Sequence, residues 1–258
     1  VTPLLAIEKV TKTYGGVRAV DGVCLQLAEK GGIRGLIGPN GAGKSTLLNL
    51  ICGLERPTAG EIYFKGEGIT SMPPHQISAL GIGRTFQATQ LVEHLTVAEN
   101  VMVGRHLHTR VGFLTSGFWL PQIWREENRN RIEAHQILDF LGLLFKAGRS
   151  IQHLSDGEKR LVELGRALAL EPALLLLDEP AGGLTPGEVK VLGEMIHRLR
   201  DRGVTVLIVE HHMGLVMEIS HWITVLHHGK VIAEGPPEEI KRDQAVISAY
   251  LGRGGSLA

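Results

Sequence analysis

Near-continuous apolar runs occur at Leu174-Leu175-Leu176-Leu177 and Val204-Thr205-Val206-Leu207-Ile208-Val209, the pattern of central parallel strands covered on both faces. Ile33-Arg34-Gly35-Leu36-Ile37 is a further strand that runs straight into a glycine-rich loop. After that loop, Ser45 to Cys52 has helical character ending near Gly53. Alternation of strand-like and helix-like runs predicts an α/β architecture with a mostly parallel sheet. The opening of the chain reads differently. Leu5–Val10 and Val23–Leu27 are short strands about a turn at Gly15-Gly16, and Glu61–Phe64 is a β segment after the turn Pro57–Gly60. An N-terminal antiparallel β subdomain is therefore expected. From about Gln87 to Gly165 the pattern is helical, with a polar stretch over Arg125–Arg131 and apolar positions at Ile132, Ile137, Leu138 and Leu141. It predicts a helical subdomain, 88–165, inserted in a core made of 1–87 and 166–258, all one domain over 1–258. Ile223–Leu226 and Val231–Ala233 predict a closing hairpin about His228-Gly229.

Composition narrows the partners. The 258 residues carry 27 basic and 27 acidic side chains, so the basic excess expected of a nucleic-acid-binding domain is missing. Cys24 and Cys52 both lie in apolar segments and read as buried core thiols of a reducing compartment. The start, Val1-Thr2-Pro3-Leu4-Leu5, lacks the basic and long apolar regions of a signal peptide. No window approaches the ~18 uninterrupted apolar residues of a spanning helix, so a membrane link is expected to come through partners.

Gly38-Pro39-Asn40-Gly41-Ala42-Gly43-Lys44-Ser45-Thr46 matches the phosphate-binding loop in full, with a strand before it and a helix after. Glycines let backbone N–H groups curl around phosphate oxygens, and the helix aims its positive end at the same anion. Lys44 would reach the β/γ-phosphates, Ser45 would ligate Mg²⁺, and Thr46 is placed to donate to the α-phosphate. A second signal is Leu177-Asp178-Glu179-Pro180. A buried strand ending in two acids sets carboxylates at the carboxyl edge of the sheet, where ligands of α/β folds gather. Asp178 would hold Mg²⁺, directly or through water; Glu179 would orient or deprotonate the attacking water. The fold class is α/β with a P-loop NTPase core.

Taken in order, the loop, Gln87, Leu154-Ser155-Asp156-Gly157-Glu158, Asp178-Glu179 and His211 resemble the ATP-binding-cassette ATPases over essentially the whole chain. That resemblance implies further roles. Tyr14 stands where the family stacks an aromatic on adenine, Gln87 where a glutamine contacts Mg²⁺ or the lytic water, and His211 where a switch histidine touches the γ-phosphate. Ser155 and Gly157 lie in the segment that faces the nucleotide of the other subunit of a dimer. Three departures stand out. The signature usually reads Leu-Ser-Gly-Gly-Gln, and here Asp156 and Glu158 replace a glycine and the glutamine. Ala181-Gly182-Gly183-Leu184-Thr185 lacks the acidic residue common after Pro180. His212 takes a position often held by Asp.

Ile69–His75, Leu80–Gln87, Leu95–Val101 with Gly104-Arg105-His106, and Val246–Gly252 are similar to the ATPase subunits of branched-chain amino-acid importers. The resemblance implies ATP hydrolysis that energises uptake of branched-chain or other hydrophobic amino acids, with ATP and Mg²⁺ bound. Urea or amide importers, and non-transport cassettes of translation or DNA repair, are the alternatives. Implied partners are a second ATPase (the same chain or, preferably, a related one), integral-membrane permeases and, indirectly, an extracytoplasmic solute-binding protein. Nucleic acid is not among them. The place implied is peripheral, on the cytoplasmic face of the cell membrane. Phe113, Phe118, Trp119, Ile123 and Trp124, in the long spacer before the signature, are read either as packing of the helical subdomain or as a permease or subunit contact.

Overall fold

Alternation of inward and outward side chains builds the first sheet in the computed structural model of the chain, which describes residues 2–28, 31–85, 91–105 and 121–251. Strands β1 (Leu5–Tyr14) and β2 (Val17–Leu27) pair antiparallel about Gly15-Gly16, with Leu5 opposite Leu27. Next come β3 (Ile33–Ile37), α1 (Lys44–Ile51), β4 (Ala59–Phe64) and the two-residue β5 (Glu67–Gly68). β4 pairs antiparallel with β1, giving a four-stranded sheet in the order β2-β1-β4-β5. Within β2, Val23, Leu25 and Leu27 are buried while Cys24 and Gln26 are exposed. The expectation of a buried Cys24 is thus corrected. The two-residue period of the strand places it on the outer face, whereas Cys52 is buried, with its thiol pushed up to about 11 by that burial.

The chain continues through α2 (Pro74–Ala79), β6 (Ile82–Arg84), α3 (Val97–Val103), α4 (Pro121–Phe140), α5 (Asp156–Leu168) and β7 (Leu174–Asp178). It ends with α6 (Pro186–Asp201), β8 (Thr205–Val209), α7 (Met213–Ile219), β9 (Trp222–His227), β10 (Lys230–Gly235), α8 (Pro237–Ile240) and α9 (Gln244–Leu251). The second sheet has six strands in the order β10-β9-β3-β8-β7-β6, parallel except for β10 at its edge.

Both faces of this sheet are covered, which is why its strands are apolar throughout. Leu174 and Leu176 of β7 pack with Leu47, Leu48 and Ile51 of α1 and with Ile62 and Phe64 of the antiparallel sheet. Leu175 and Leu177 point the other way, to Val162 and Leu164 of α5 and to Leu192 and Ile196 of α6. Each fully buried leucine contributes roughly 1.5–3 kcal/mol of transfer free energy. α1 therefore rests on the sheet at a fixed height, and the loop before it is held at the sheet's carboxyl edge.

Several elements differ from the sequence reading. β6 was not foreseen, since three residues centred on Gly83 offer no periodicity to read. The first helix beyond Gln87 among the described residues, α3, begins only at Val97, where Thr96 and Glu99 form a capping box. α5 runs through the 165/166 division to Leu168. Gln87, Phe113, Phe118 and Trp119 lie outside the described residues, as do the side chains of Ile123 and Trp124. No described helix is long and apolar enough to cross a membrane.

Candidate functional site

The turn from β3 into α1 is possible only with glycine at two points. Gly38 has φ 153°, and a Cβ there would sit 2.1 Å from the Leu226 carbonyl oxygen; Gly43 has φ 103°, and its Cβ would sit 2.2 Å from the Ala19 carbonyl oxygen. The loop is thereby clamped between β2 and β9. The Gly229 N–H donates to Ala42 O at 3.0 Å, which adds the β9–β10 turn to the clamp. Gly43 caps α1 without any side-chain hydrogen bond, and no acidic residue stands in the first turn. The opening amides of that helix are thus left for an external anion. Lys44 is buried, and its ammonium donates to Gly38 O at 2.7 Å and Pro39 O at 3.0 Å. Burial holds that ammonium below the usual lysine range, against the opposing pull of the Glu179 and Asp178 carboxylates.

Around the loop is an open cleft of about 770 Å³, lined by Tyr14, Ala19, Asn40, Gly41, Ala42, Gly43, Lys44, Ser45, Thr46, Glu179 and His211. Four stretches far apart in sequence converge there: the β1–β2 hairpin, the loop into α1, the end of β7 and the end of β8. Asp178 ends β7, and its charge acts on the Lys44 ammonium. Its Oδ2 accepts from Arg84 at 2.9 Å, and its Oδ1 is buried with no hydrogen-bond partner among the described residues. Burial raises the Asp178 carboxyl above its ordinary range, with Arg84 opposing. A buried oxygen left without a donor is costly, and a hard cation or its water would satisfy it. With the exposed Ser45 hydroxyl at the start of α1, the oxygen donors present fit Mg²⁺, which takes one or two protein oxygens together with substrate phosphates.

Glu179 follows with φ 49°, a left-handed backbone held by a hydrogen bond from its N–H to Val209 O at 2.8 Å. Such a conformation costs on the order of 1–3 kcal/mol and gathers at functional sites. His211 Nδ1 lies 3.9 Å from Glu179 Oε2. Tyr14 is half-exposed at the cleft mouth, and its hydroxyl donates to Glu55. Loss of solvent around that hydroxyl, then the Glu55 carboxylate, push the phenol up to about 12.

Sequence reasoning missed the groups behind these. Asn49 on α1 donates to Glu55 at 3.0 Å and accepts from Arg84 at 2.8 Å. A continuous polar chain thus links Tyr14, Glu55, Asn49, Arg84 and Asp178. Arg160 of α5 reaches the Glu179 carbonyl at 3.3 Å. Glu210 is buried beside the switch position. A charged residue adjoining an apolar strand was the available hint for Glu210; nothing in the sequence marked Arg84, Asn49 or Glu55.

Ser155 and Gly157 do not line the cleft. Ser155 caps α5 in a capping box: the Glu158 N–H donates to Ser155 Oγ at 3.2 Å, and the Ser155 N–H to Glu158 Oε2 at 3.0 Å. Glu158 also pairs with Lys146, which is the first cause of its lowered carboxyl. The glutamate at the signature's last position is therefore a working cap residue. Asp156 projects outward with its side chain 92% exposed and pairs with Lys159 at 3.3 Å. The other two departures are also caps. Thr185 forms a capping box with Glu188 at the start of α6, and His212 Nδ1 accepts from the Leu215 N–H at 3.2 Å at the start of α7.

The chain is similar to known proteins along nearly its full length. Residues 21–182 match the ABC transporter family, and 230–256 match the family described as branched-chain amino acid ATP-binding cassette transporter. BraF of Pseudomonas aeruginosa, a high-affinity branched-chain amino acid transport ATP-binding protein, is 41% identical over 97% of this chain and 98% of its own. LivG of Salmonella typhimurium, of the same description, is 40% identical with the same coverage. Among solved structures, a nucleotide-free ATP-binding cassette from an ABC transporter superimposes with a TM-score of 0.85 at 36% identity, covering 98% of this chain and 100% of that one. The ADP conformation of MJ1267, an ATP-binding cassette of an ABC transporter, does so with a TM-score of 0.85 at 35% identity and the same coverage.

Proposed function

The chain belongs to the ATP-binding-cassette transporter ATPases, and from that premise we propose that it energises uptake of branched-chain or other hydrophobic amino acids through membrane permeases. One observation carries the reading: the phosphate loop, Glu179 and His211 line a single cleft, with the Asp178 charge acting on Lys44 of that loop, in a chain 41% identical to BraF. Urea or amide import is the second reading by solute, but the names of the relatives favour amino acids. The chain sits peripherally on the cytoplasmic face and receives solute signals, by way of the permeases, from an extracytoplasmic binding protein.

ATP enters with adenine on Tyr14 and its phosphates in the loop amides. Lys44 exchanges its bonds to Gly38 O and Pro39 O for β/γ-phosphate oxygens, and Thr46 donates to the α-phosphate. Ser45 and Asp178, with Gln87, would hold Mg²⁺, which would supply positive charge to offset that of the phosphates. Glu179 orients or deprotonates a water for in-line attack on the γ-phosphorus, and the bond to the bridging oxygen breaks to give ADP and phosphate. His211 stabilises charge on the γ-phosphate oxygens.

Ser155 and Gly157 stand outside this chain's own cleft, and in this reading they serve the nucleotide of a second ATPase subunit. That subunit is a related, non-identical chain whose signature helix completes the cleft described above. Asp156 faces away from that phosphate with its charge balanced by Lys159. Asp156→Gly should therefore change turnover of the assembled transporter by less than about tenfold, that is ~1.4 kcal/mol of barrier. A rise beyond that would mean that Asp156 opposes the phosphate.

Purification of the tagged chain from solubilised membranes tests the assignment. Copurifying permeases and a second cassette ATPase are expected. Recovery with ribosomes or DNA, and without membrane proteins, would overturn it.

A further inference from the structure

Just beyond the end of β8 an acidic residue is sunk where the strand has been entirely apolar. Glu210 is 1% exposed, and among the described residues no lysine or arginine pairs with it. A buried carboxylate is costly unless its oxygens are hydrogen-bonded, and here both are. Oε1 accepts from the Ala181 N–H at 2.6 Å, and Oε2 accepts from the N–H groups of His211 at 3.0 Å and His212 at 3.1 Å. Ala181 lies two residues past Glu179, in the turn whose left-handed backbone is held from its other side by Val209 O. The same two residues at the end of the strand, Val209 through its carbonyl and Glu210 through its side chain, therefore tie down both ends of the Glu179 turn. His211, between them and α7, takes its backbone position from the second oxygen of the same carboxylate.

We propose that Glu210 is a positioning residue that locks the backbone of His211 to the Glu179 turn, so that both side chains reach the γ-phosphate as one unit. Glu210 lines no part of the cleft, so it acts only through its neighbours. A shift of His211 toward or away from phosphate must then draw on Ala181, and through it on Gly182–Thr185, the segment leading into α6. The inference rests on the ATPase reading above and assigns that reading's parts to one rigid clamp.

A glutamine at 210 can accept on one side only, because its NH₂ group must face an N–H that needs an acceptor. One of the two links is lost whichever way the amide turns. Steady-state turnover and ATP affinity of the full chain, with wild-type, Glu210→Gln, His211→Ala and the double variant, read this directly. Expected are a fall in kcat of about 10- to 100-fold for Glu210→Gln with Kd for ATP within about threefold, since transition-state positioning alone is lost. In the double variant, the loss should be clearly smaller than the product of the two single losses, the non-additivity of groups that act as one. Additive losses, a Kd that rises in step with the fall in kcat, or an unchanged kcat would each overturn the proposal. Should Glu210→Gln fail to fold, Glu210→Asp decides by the same criteria, because it keeps two oxygens but is one methylene short of Ala181. A silent His211→Ala would sink the assigned role of His211 together with the clamp; an impaired His211→Ala beside a silent Glu210→Gln sinks the clamp alone.

Discussion

Glu179→Gln is expected to lower ATP turnover by about 10²- to 10⁴-fold, the contribution of a positioned general base, while ATP affinity stays within about threefold. The substitution keeps the shape of the side chain and leaves the backbone at φ 49° with its N–H on Val209 O. Only the carboxylate is lost, and with it the ability to orient or deprotonate the attacking water. Single-turnover hydrolysis alongside equilibrium nucleotide binding checks both halves. Normal turnover would remove Glu179 from the chemistry. Lost binding would mean instead that the carboxylate shapes the cleft.

The second large effect is at Lys44, and it acts on binding. Lys44→Ala is expected to weaken ATP affinity by about 10²- to 10⁴-fold, because charge-assisted hydrogen bonds contribute roughly 1.5–3 kcal/mol each and two phosphates are involved. The ammonium donates to Gly38 O and Pro39 O. It is held over the loop, so little ordering is required when phosphate replaces those carbonyls. Titration with a fluorescent ATP analogue measures the change; an affinity within about threefold of wild type, well under 1.4 kcal/mol, would show that the loop amides alone hold the phosphates.

The two variants separate the roles that the cleft combines. Its base is a parallel sheet whose alternate side chains grip α1 on one face and α5 and α6 on the other. That packing holds the loop and Glu179 in register. The polar chain from Tyr14 through Glu55, Asn49 and Arg84 to Asp178 runs from the mouth of the cleft to the end of β7.

Legibility in the sequence followed how local each feature is. The loop Gly38–Thr46 is contiguous, and its flanking strand and helix announce themselves, so its residues and the α/β class could be read without the structure. The apolar runs of β7 and β8 were equally plain, because both faces of those strands are buried. Arg84 and Asp178, 94 residues apart in sequence, form a pair that only the folded sheet brings together. Cys24 was misread because its segment looked apolar on average, and the period of two decides its face. The departures at Glu158 and Thr185 could have been understood at once: Ser155-x-x-Glu158 and Thr185-x-x-Glu188 are capping boxes by spacing. Read as deviations from a family pattern, they pointed only to what was missing.

Hydrolysis by the chain assembled with its permeases in proteoliposomes, measured as amino acid-loaded binding protein is added, tests the account most directly. Leucine, isoleucine or valine on the binding protein should raise ATP turnover, and the rise should vanish in Glu179→Gln. Stimulation by urea or short amides with none by these amino acids, or turnover indifferent to every solute, would contradict it.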